Sequence, residues 1–120
     1  MDKTFRFMRF KVYKDAKRFY LSVVEISKTF PREHRELADQ IRRSSLSVVL
    51  NIAEGSGKDS DKELNMYLNN SLGSINETTA GIDIAFESKL ISSTLKNELI
   101  KETKQIADQL GGFSKYLKKS

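Results

Sequence analysis

The chain has 120 residues, 31% charged and 38% hydrophobic, with one proline, no tryptophan and no cysteine. This composition excludes a disulfide scaffold, a thiolate metal site and a disordered or fibrous chain, and no apolar run approaches the roughly 18 residues that cross a bilayer. The net charge of +5 is unevenly placed: residues 1–18 hold Lys3, Arg6, Arg9, Lys11, Lys14, Lys17 and Arg18 against Asp2 and Asp15, and the rest cancels.

The first nine residues alternate aromatic and basic side chains, which suits either an extended arm or a frayed helix start. They lack the continuous apolar stretch of a secretory signal, so a cytoplasmic location is expected. From Phe10 the spacing turns helical, with Tyr13, Ala16, Phe19/Tyr20, Val23 and Ser27 recurring at threes and fours. This predicts a first helix over 10–29, stopped by Pro31, which lacks an amide donor and restricts the residue before it.

Pro31 also suits the opening turn of a second helix over 32–54, with Glu33 and Glu36 at its positive end. Wound at about 100° per residue, this helix places Leu37, Ile41, Ser44, Val48 and Ile52 on one face. Leu46, Val49, Leu50 and Ala53 fall on roughly the opposite side. A helix apolar on two sides is buried on two sides, and one small core covers only one of them, so the second set is expected to meet another copy of the chain. Between the faces runs a polar ladder, Gln40, Arg43, Ser47, Asn51 and Glu54. It reads as a hydrogen-bonded seam, within the bundle or between subunits, with Arg43 and Glu54 neutralising each other's surroundings directly or across an interface, or alternatively as a pocket for a polar ligand.

Gly55 is expected to close this helix in the left-handed conformation. The Gly55-Ser56-Gly57-Lys58 run that follows lacks the earlier glycine, the following Ser/Thr and the preceding strand of a phosphate loop, so it reads as an interhelical turn. Ser60 or Asp59 then caps a third helix over 60–88, with Glu63 three residues after Ser60 in a capping-box arrangement. Its predicted stripe is Leu64, Leu68, Leu72, Ile75, Thr79, Ile82 and Phe86. Gly73 and Gly81 lie inside it, each costing about 1 kcal/mol relative to alanine, and are expected to mark close approaches. Ser92 or Ser93 caps a fourth helix over 93–117, whose seam is Leu99, Thr103, Ile106, Leu110, Phe113 and Leu117. Four such helices with short loops make an all-α, antiparallel up-down-up-down four-helix bundle, one domain spanning 1–120 with residues 1–9 as its arm.

Catalytic chemistry finds no support in this pattern. His34 is the single histidine, so no two-histidine metal site forms within one chain, and no nucleophilic relay or paired carboxylates can be placed. No enzyme activity, no cofactor, no metal and no membrane association are expected. The arm does offer partners: Phe5 and Phe7 as stacking platforms and Arg6, Arg9, Lys11, Lys14, Lys17 and Arg18 as phosphate contacts would suit RNA or DNA. The competing reading is an arm that docks its phenylalanines on a neighbour while its arginines stay wet.

The run from Phe30 to Gly55, F-P-x-x-x-x-x-L-x-x-Q-I-R-R-S-S-L-S-V-V-L-N-I-A-E-G, closely resembles the 23S rRNA-intervening sequence proteins. Their pattern is a phenylalanine-proline, a Q-x-x-R-A-x-x-S-x-x-x-N-I-A-E-G block and a later G-S-x-x-E element, here Gly73 to Glu77. Ser44 stands where alanine is usual, and the arm matches less well. The resemblance implies an antiparallel four-helix bundle assembled as a homopentamer, with no catalytic residues to carry over. A similar bundle, the accessory variability protein of diversity-generating retroelements, is a basic pentamer that works with nucleic acid and a reverse transcriptase. The expectation is therefore a non-catalytic homo-oligomer binding RNA or DNA through its basic N-terminal ends. The alternative is a protein-interaction scaffold.

Overall fold

A computed structural model describes residues 3–119; Met1 and Asp2, the tip of the expected arm, lie outside the described residues, as does Ser120. Among the described residues every regular element is helical. A 3-10 turn at Arg6–Arg9 precedes α1 (Lys11–Ser27), and a second at Arg32–His34 precedes α2 (Arg35–Ser56). After these come α3 (Asp61–Glu87) and α4 (Ser93–Lys119). Each helix packs on the next and α1 meets α4 along the thinnest seam, while the diagonal pairs have no close backbone approach, which is an up-down-up-down bundle of 47 × 22 × 19 Å.

The helix ends follow the sequence signals with two corrections. Ser60 Oγ accepts the Glu63 amide at 3.1 Å and Ser92 Oγ accepts the Leu95 amide at 3.1 Å, each satisfying a donor that the first turn leaves orphaned. Pro31 stands just outside its helix, its carbonyl accepting the His34 amide at 2.9 Å as the 3-10 turn begins. The first correction concerns Gly55, which is helical rather than left-handed; α2 runs on to Ser56 and ends at Gly57 with φ −90° and ψ 0°. Its glycine serves packing, because a Cβ there would lie 2.6 Å from Tyr67 Cβ. The second concerns the end of α3, to which the sequence reading assigns no cap: Lys89 takes the left-handed position there at φ 63°. Its amide donates to Phe86 O and that of Leu90 to Ala85 O, both at 2.9 Å, the paired bonds of a Schellman end.

The core is built from Val12, Ala16, Phe19 and Val23 of α1 with Ile41, Val48, Val49 and Ile52 of α2. Leu64, Leu68, Ile75 and Ile82 of α3 meet Leu99, Ile106, Leu110 and Leu117 of α4. On α3 the predicted Leu72, Thr79 and Phe86 are only half-buried, whereas Ser71, Thr78, Gly81 and Ala85 are fully buried. The reason is the width of the α2–α3 seam. Small residues line it, so the two backbones approach closely. A Cβ on Gly81 would sit 2.4 Å from Ile41 Cγ2. Hydroxyls bridge the gap: Ser71 Oγ donates to Val48 O at 2.9 Å and Thr78 Oγ1 to Ser44 Oγ at 2.7 Å. Gly73 differs from both packing glycines, since a Cβ there would meet nothing within 4 Å.

Candidate nucleic-acid interface

The N-terminal segment folds back on its own bundle. Arg6 Nε donates to Ser56 O at 3.0 Å, closing the last turn of α2, and its guanidinium carbon lies 6.0 Å from the Phe10 ring centroid. Phe7 stands edge-on to Tyr13 at 4.8 Å, and Phe10 edge-on to Phe113 of α4 at 5.3 Å. Of the two expected stacking platforms, Phe7 is thus engaged within the chain and Phe5 is 66% exposed. Phe7 and Phe10 thus tie the N-terminal segment to α1 and α4.

Those residues spread along the outward face of α1. Lys11, Lys14, Lys17 and Arg18 are all exposed, opposite the buried Val12, Ala16, Phe19 and Val23. Lys11 Nζ lies 2.5 Å and Arg18 Nη1 3.4 Å from the Asp15 carboxylate, and Lys17 Nζ is 5.4 Å from the Tyr13 ring centroid. Lys14 has no ion pair among the described residues. Exposed ion pairs of this kind hold their lysines weakly, so the strip stays available to an external anion. The hydrogen bond from Lys11 first, then that from Gln109 Nε2 at 2.9 Å and the charge of Arg18, holds Asp15 below its ordinary carboxylate range against some burial.

Beside this strip a cleft of about 230 Å³ opens between α1 and α4, floored by Phe19 and Ile106. Lys11 and Arg18 edge one side and Glu102 and Gln105 the other. Burial, and then repulsion from Glu98, raises the Glu102 pKa while Arg18 lowers it. The α4 wall therefore carries a carboxylate that bounds the basic strip on that side. A larger cleft of about 490 Å³ lies between the arm and the α2–α3 turn, lined by Lys3 and Arg6 from the arm and by Lys58, Asp59 and Asp61 from the turn and the start of α3. The turn forms no phosphate cradle: the Gly57 and Lys58 amides donate to Glu54 O and Gly55 O, both at 3.1 Å, and are spent closing α2.

The polar ladder divides. Asn51 Nδ2 donates to Ser47 O at 2.9 Å and to Ser47 Oγ at 3.0 Å, and Ser47 Oγ lies 2.9 Å from Ser74 Oγ on α3. Gln40 Nε2 donates to Glu77 Oε2 at 3.1 Å. Gln40 and Ser47 thus join α2 to α3, and Asn51 braces Ser47 within α2. Arg43 and Glu54 are exposed and form no ion pair with each other; eleven residues of helix set them about 16 Å apart. On the second apolar side, Val49 is in the chain's own core, Leu46 and Ala53 are half-buried, and Leu50 is 55% exposed. His34 is half-buried in its 3-10 turn, and the described residues hold no group of three or more His, Cys, Asp or Glu suited to a metal. Sequence reasoning missed the Gln109–Asp15 link and the hydroxyl seam. The seam was visible as Ser71, Ser74, Thr78, Gly81 and Ala85, small residues at threes and fours.

Comparison with solved structures finds a crystal structure of a protein of unknown function from the S23 ribosomal protein family of Bacteroides thetaiotaomicron. It is 23% identical, with a TM-score of 0.81 over 87% of this chain and 95% of that one, a likeness of fold. Comparison with curated proteins gives no match. No described helix is long and apolar enough to cross a membrane. The model of the 23S rRNA-intervening sequence proteins matches residues 8–112, from the end of the arm to the last turns of α4, and the chain belongs to that family.

Proposed function

We propose that this protein is a non-catalytic, cytoplasmic homo-oligomer that binds RNA or DNA through the basic face of α1 and the adjoining arm. The supporting observation is the exposed strip of Lys11, Lys14, Lys17 and Arg18, four of the seven basic residues of the 1–18 segment that carries the chain's net charge of +5. Such a strip neutralises phosphates without reading bases, so binding is backbone-driven, weakly sequence-specific and strongly salt-dependent. Arg9 extends the strip and exposed Phe5 offers one stacking surface. Self-association is assigned to α2 through Leu50 with Leu46 and Ala53 beside it, and the count of five follows the family resemblance. A ring would gather the basic ends and add their potentials.

The test is affinity for a structured RNA and a duplex DNA across ~50–300 mM salt. The variant carries Lys14→Gln, Lys17→Gln and Arg18→Gln, and leaves Arg6 to hold the arm. The expected result is a steep loss of affinity with salt in the wild type, and a slope of log K against log salt shallower by about 2–3 per engaged chain in the variant. In the same assay Leu50→Glu, which sediments as smaller species because an unpaired charge resists desolvation, binds more weakly. No binding at low salt, or an unchanged slope in the variant, replaces this reading with a protein-interaction scaffold.

A further inference from the structure

We propose that the outward face of α3 is a docking surface for the same face of a second copy of this chain, paired antiparallel about a two-fold axis that crosses the helix at the level of residues 74–75. This contact is separate from the α1 strip and from the α2 contact, and stands without either.

At 100° per residue, Lys62, Met66, Gly73, Ala80, Ile84 and Glu87 fall within about 60° of one another, opposite the buried Leu64, Ile75 and Ile82. Two large apolar side chains on this face have nothing to cover them: Met66 is 57% and Ile84 52% exposed. Between them Gly73 leaves a notch in the middle of a 27-residue helix. Gly55 and Gly81 are each explained by a close approach within the chain, and Gly73 is not. Gly111 and Gly112 of α4 are equally open, but Gly73 alone lies between two exposed large apolar side chains, where a close approach by another molecule would offset its helical cost.

The identity of that partner is written in the order of the residues. A two-fold contact requires that where residue i meets j, j also meets i. Reflected about residues 74–75, Lys62 falls opposite Glu87 of the second copy, Met66 opposite Ile84, Asn69 opposite Ala80, and the Gly73 notch opposite Asn76 and Glu77. Each pair is complementary in charge, in apolarity or in size, and each occurs twice. Neither Lys62 nor Glu87 has an ion pair among the described residues. Glu77, which lies near the axis, is drawn toward α2 by Gln40, so the two Glu77 carboxylates are held away from each other.

The absence of cysteine makes disulfide cross-linking a clean test. In the full chain, Met66→Cys alone and Ile84→Cys alone place like thiols about 27 Å apart along paired helices, and neither variant should link to itself. An equimolar mixture of the two should give a covalent dimer under mild oxidation, at several-fold or greater yield over either alone. Adding Gly73→Glu to both should abolish it, while circular dichroism and the thermal midpoint show the bundle intact, since a Cβ at Gly73 meets nothing in its own chain. Failure of the mixture to link overturns the proposal, and so do links within each single variant as readily as in the mixture. A preferred link from either thiol to Leu50→Cys of another copy would assign the face to α2 of a neighbour and overturns it equally.

Discussion

Substituting alanine for each of three helical glycines is one chemical change with two opposite expected outcomes. In a helix interior the substitution alone gains about 1 kcal/mol, because glycine loses more freedom on folding. At Gly73 nothing lies within 4 Å of the new methyl, so the full gain of about 1 kcal/mol is expected. At Gly81 the methyl would sit 2.4 Å from Ile41 Cγ2, against the roughly 3.5–4.0 Å at which carbons rest. Ile41 is 3% exposed, and its branched side chain is stiff at χ1, so the helices must part. Overpacking of this kind costs about 1–3 kcal/mol or more, which against the helix gain of about 1 kcal/mol leaves a net loss of up to about 2 kcal/mol. At Gly55 the obstacle is Tyr67 Cβ at 2.6 Å, an atom that moves only with its backbone, and a loss of about 2 kcal/mol or more is expected. Urea denaturation of dilute protein measures all three. Pairing Gly81→Ala with Ile41→Leu, which removes the offending branch, should recover part of its loss. A neutral or stabilising Gly81→Ala would show that α2 and α3 are not in tight contact there.

Two further outcomes concern a turn and a charge. Lys89→Gly should stabilise the fold by about 0.5–1 kcal/mol, read as a higher thermal midpoint, because Lys89 holds φ 63°, a conformation that costs a side-chain-bearing residue about 1–2 kcal/mol; a loss of stability would mean that the lysine side chain contributes contacts outweighing the strain. Asp15 is held below its ordinary value of 3.8 by its hydrogen bond from Lys11 above all, so its contribution is fully present above 3.8 and fades as pH falls through its lower folded pKa. Asp15→Asn should therefore be less stable than wild type at neutral pH, with the gap closing in acid below 3.8, and a gap that stayed constant with pH would refute the linkage.

Most of the architecture was legible because large apolar residues and cap residues announce themselves. Pro31, Ser60 and Ser92 mark helix starts, and Ile41, Val48 and Ile52 mark the inner face of α2. What escaped was packing made by absence. Ser71, Thr78, Gly81 and Ala85 carry little hydrophobic signal, so a stripe drawn by apolarity selected Leu72, Thr79 and Phe86, which are half-buried. Gly55 was misread for a related reason: a glycine near a helix end looks like a cap, and only the position of Tyr67 on the facing helix makes it a packing residue. The candidate site was legible in its charge and not in its posture. Sequence put the basic residues at one end, but the aromatic contacts to Tyr13 and Phe113 that fold the arm onto the bundle depend on tertiary neighbours 6 and 103 residues away.

The bundle's connectivity decides whether its surfaces compete. α1 and α3 sit at opposite corners of the bundle with no close backbone approach, so a copy docked on the outer face of α3 leaves the Lys14, Lys17 and Arg18 strip of both chains open. Antiparallel pairing about a two-fold axis then turns those strips to opposite outer sides, where their like charges lie more than a Debye length of about 8–10 Å apart and repel little at physiological salt. The narrow α2–α3 seam contributes to this arrangement. By closing that gap with serines, a threonine and glycines, the chain brings Gln40 within reach of Glu77, and the carboxylate nearest the proposed axis is satisfied before a second copy arrives. An interface on α3 thus costs little in buried charge, and the basic charge remains on the face of the molecule farthest from it.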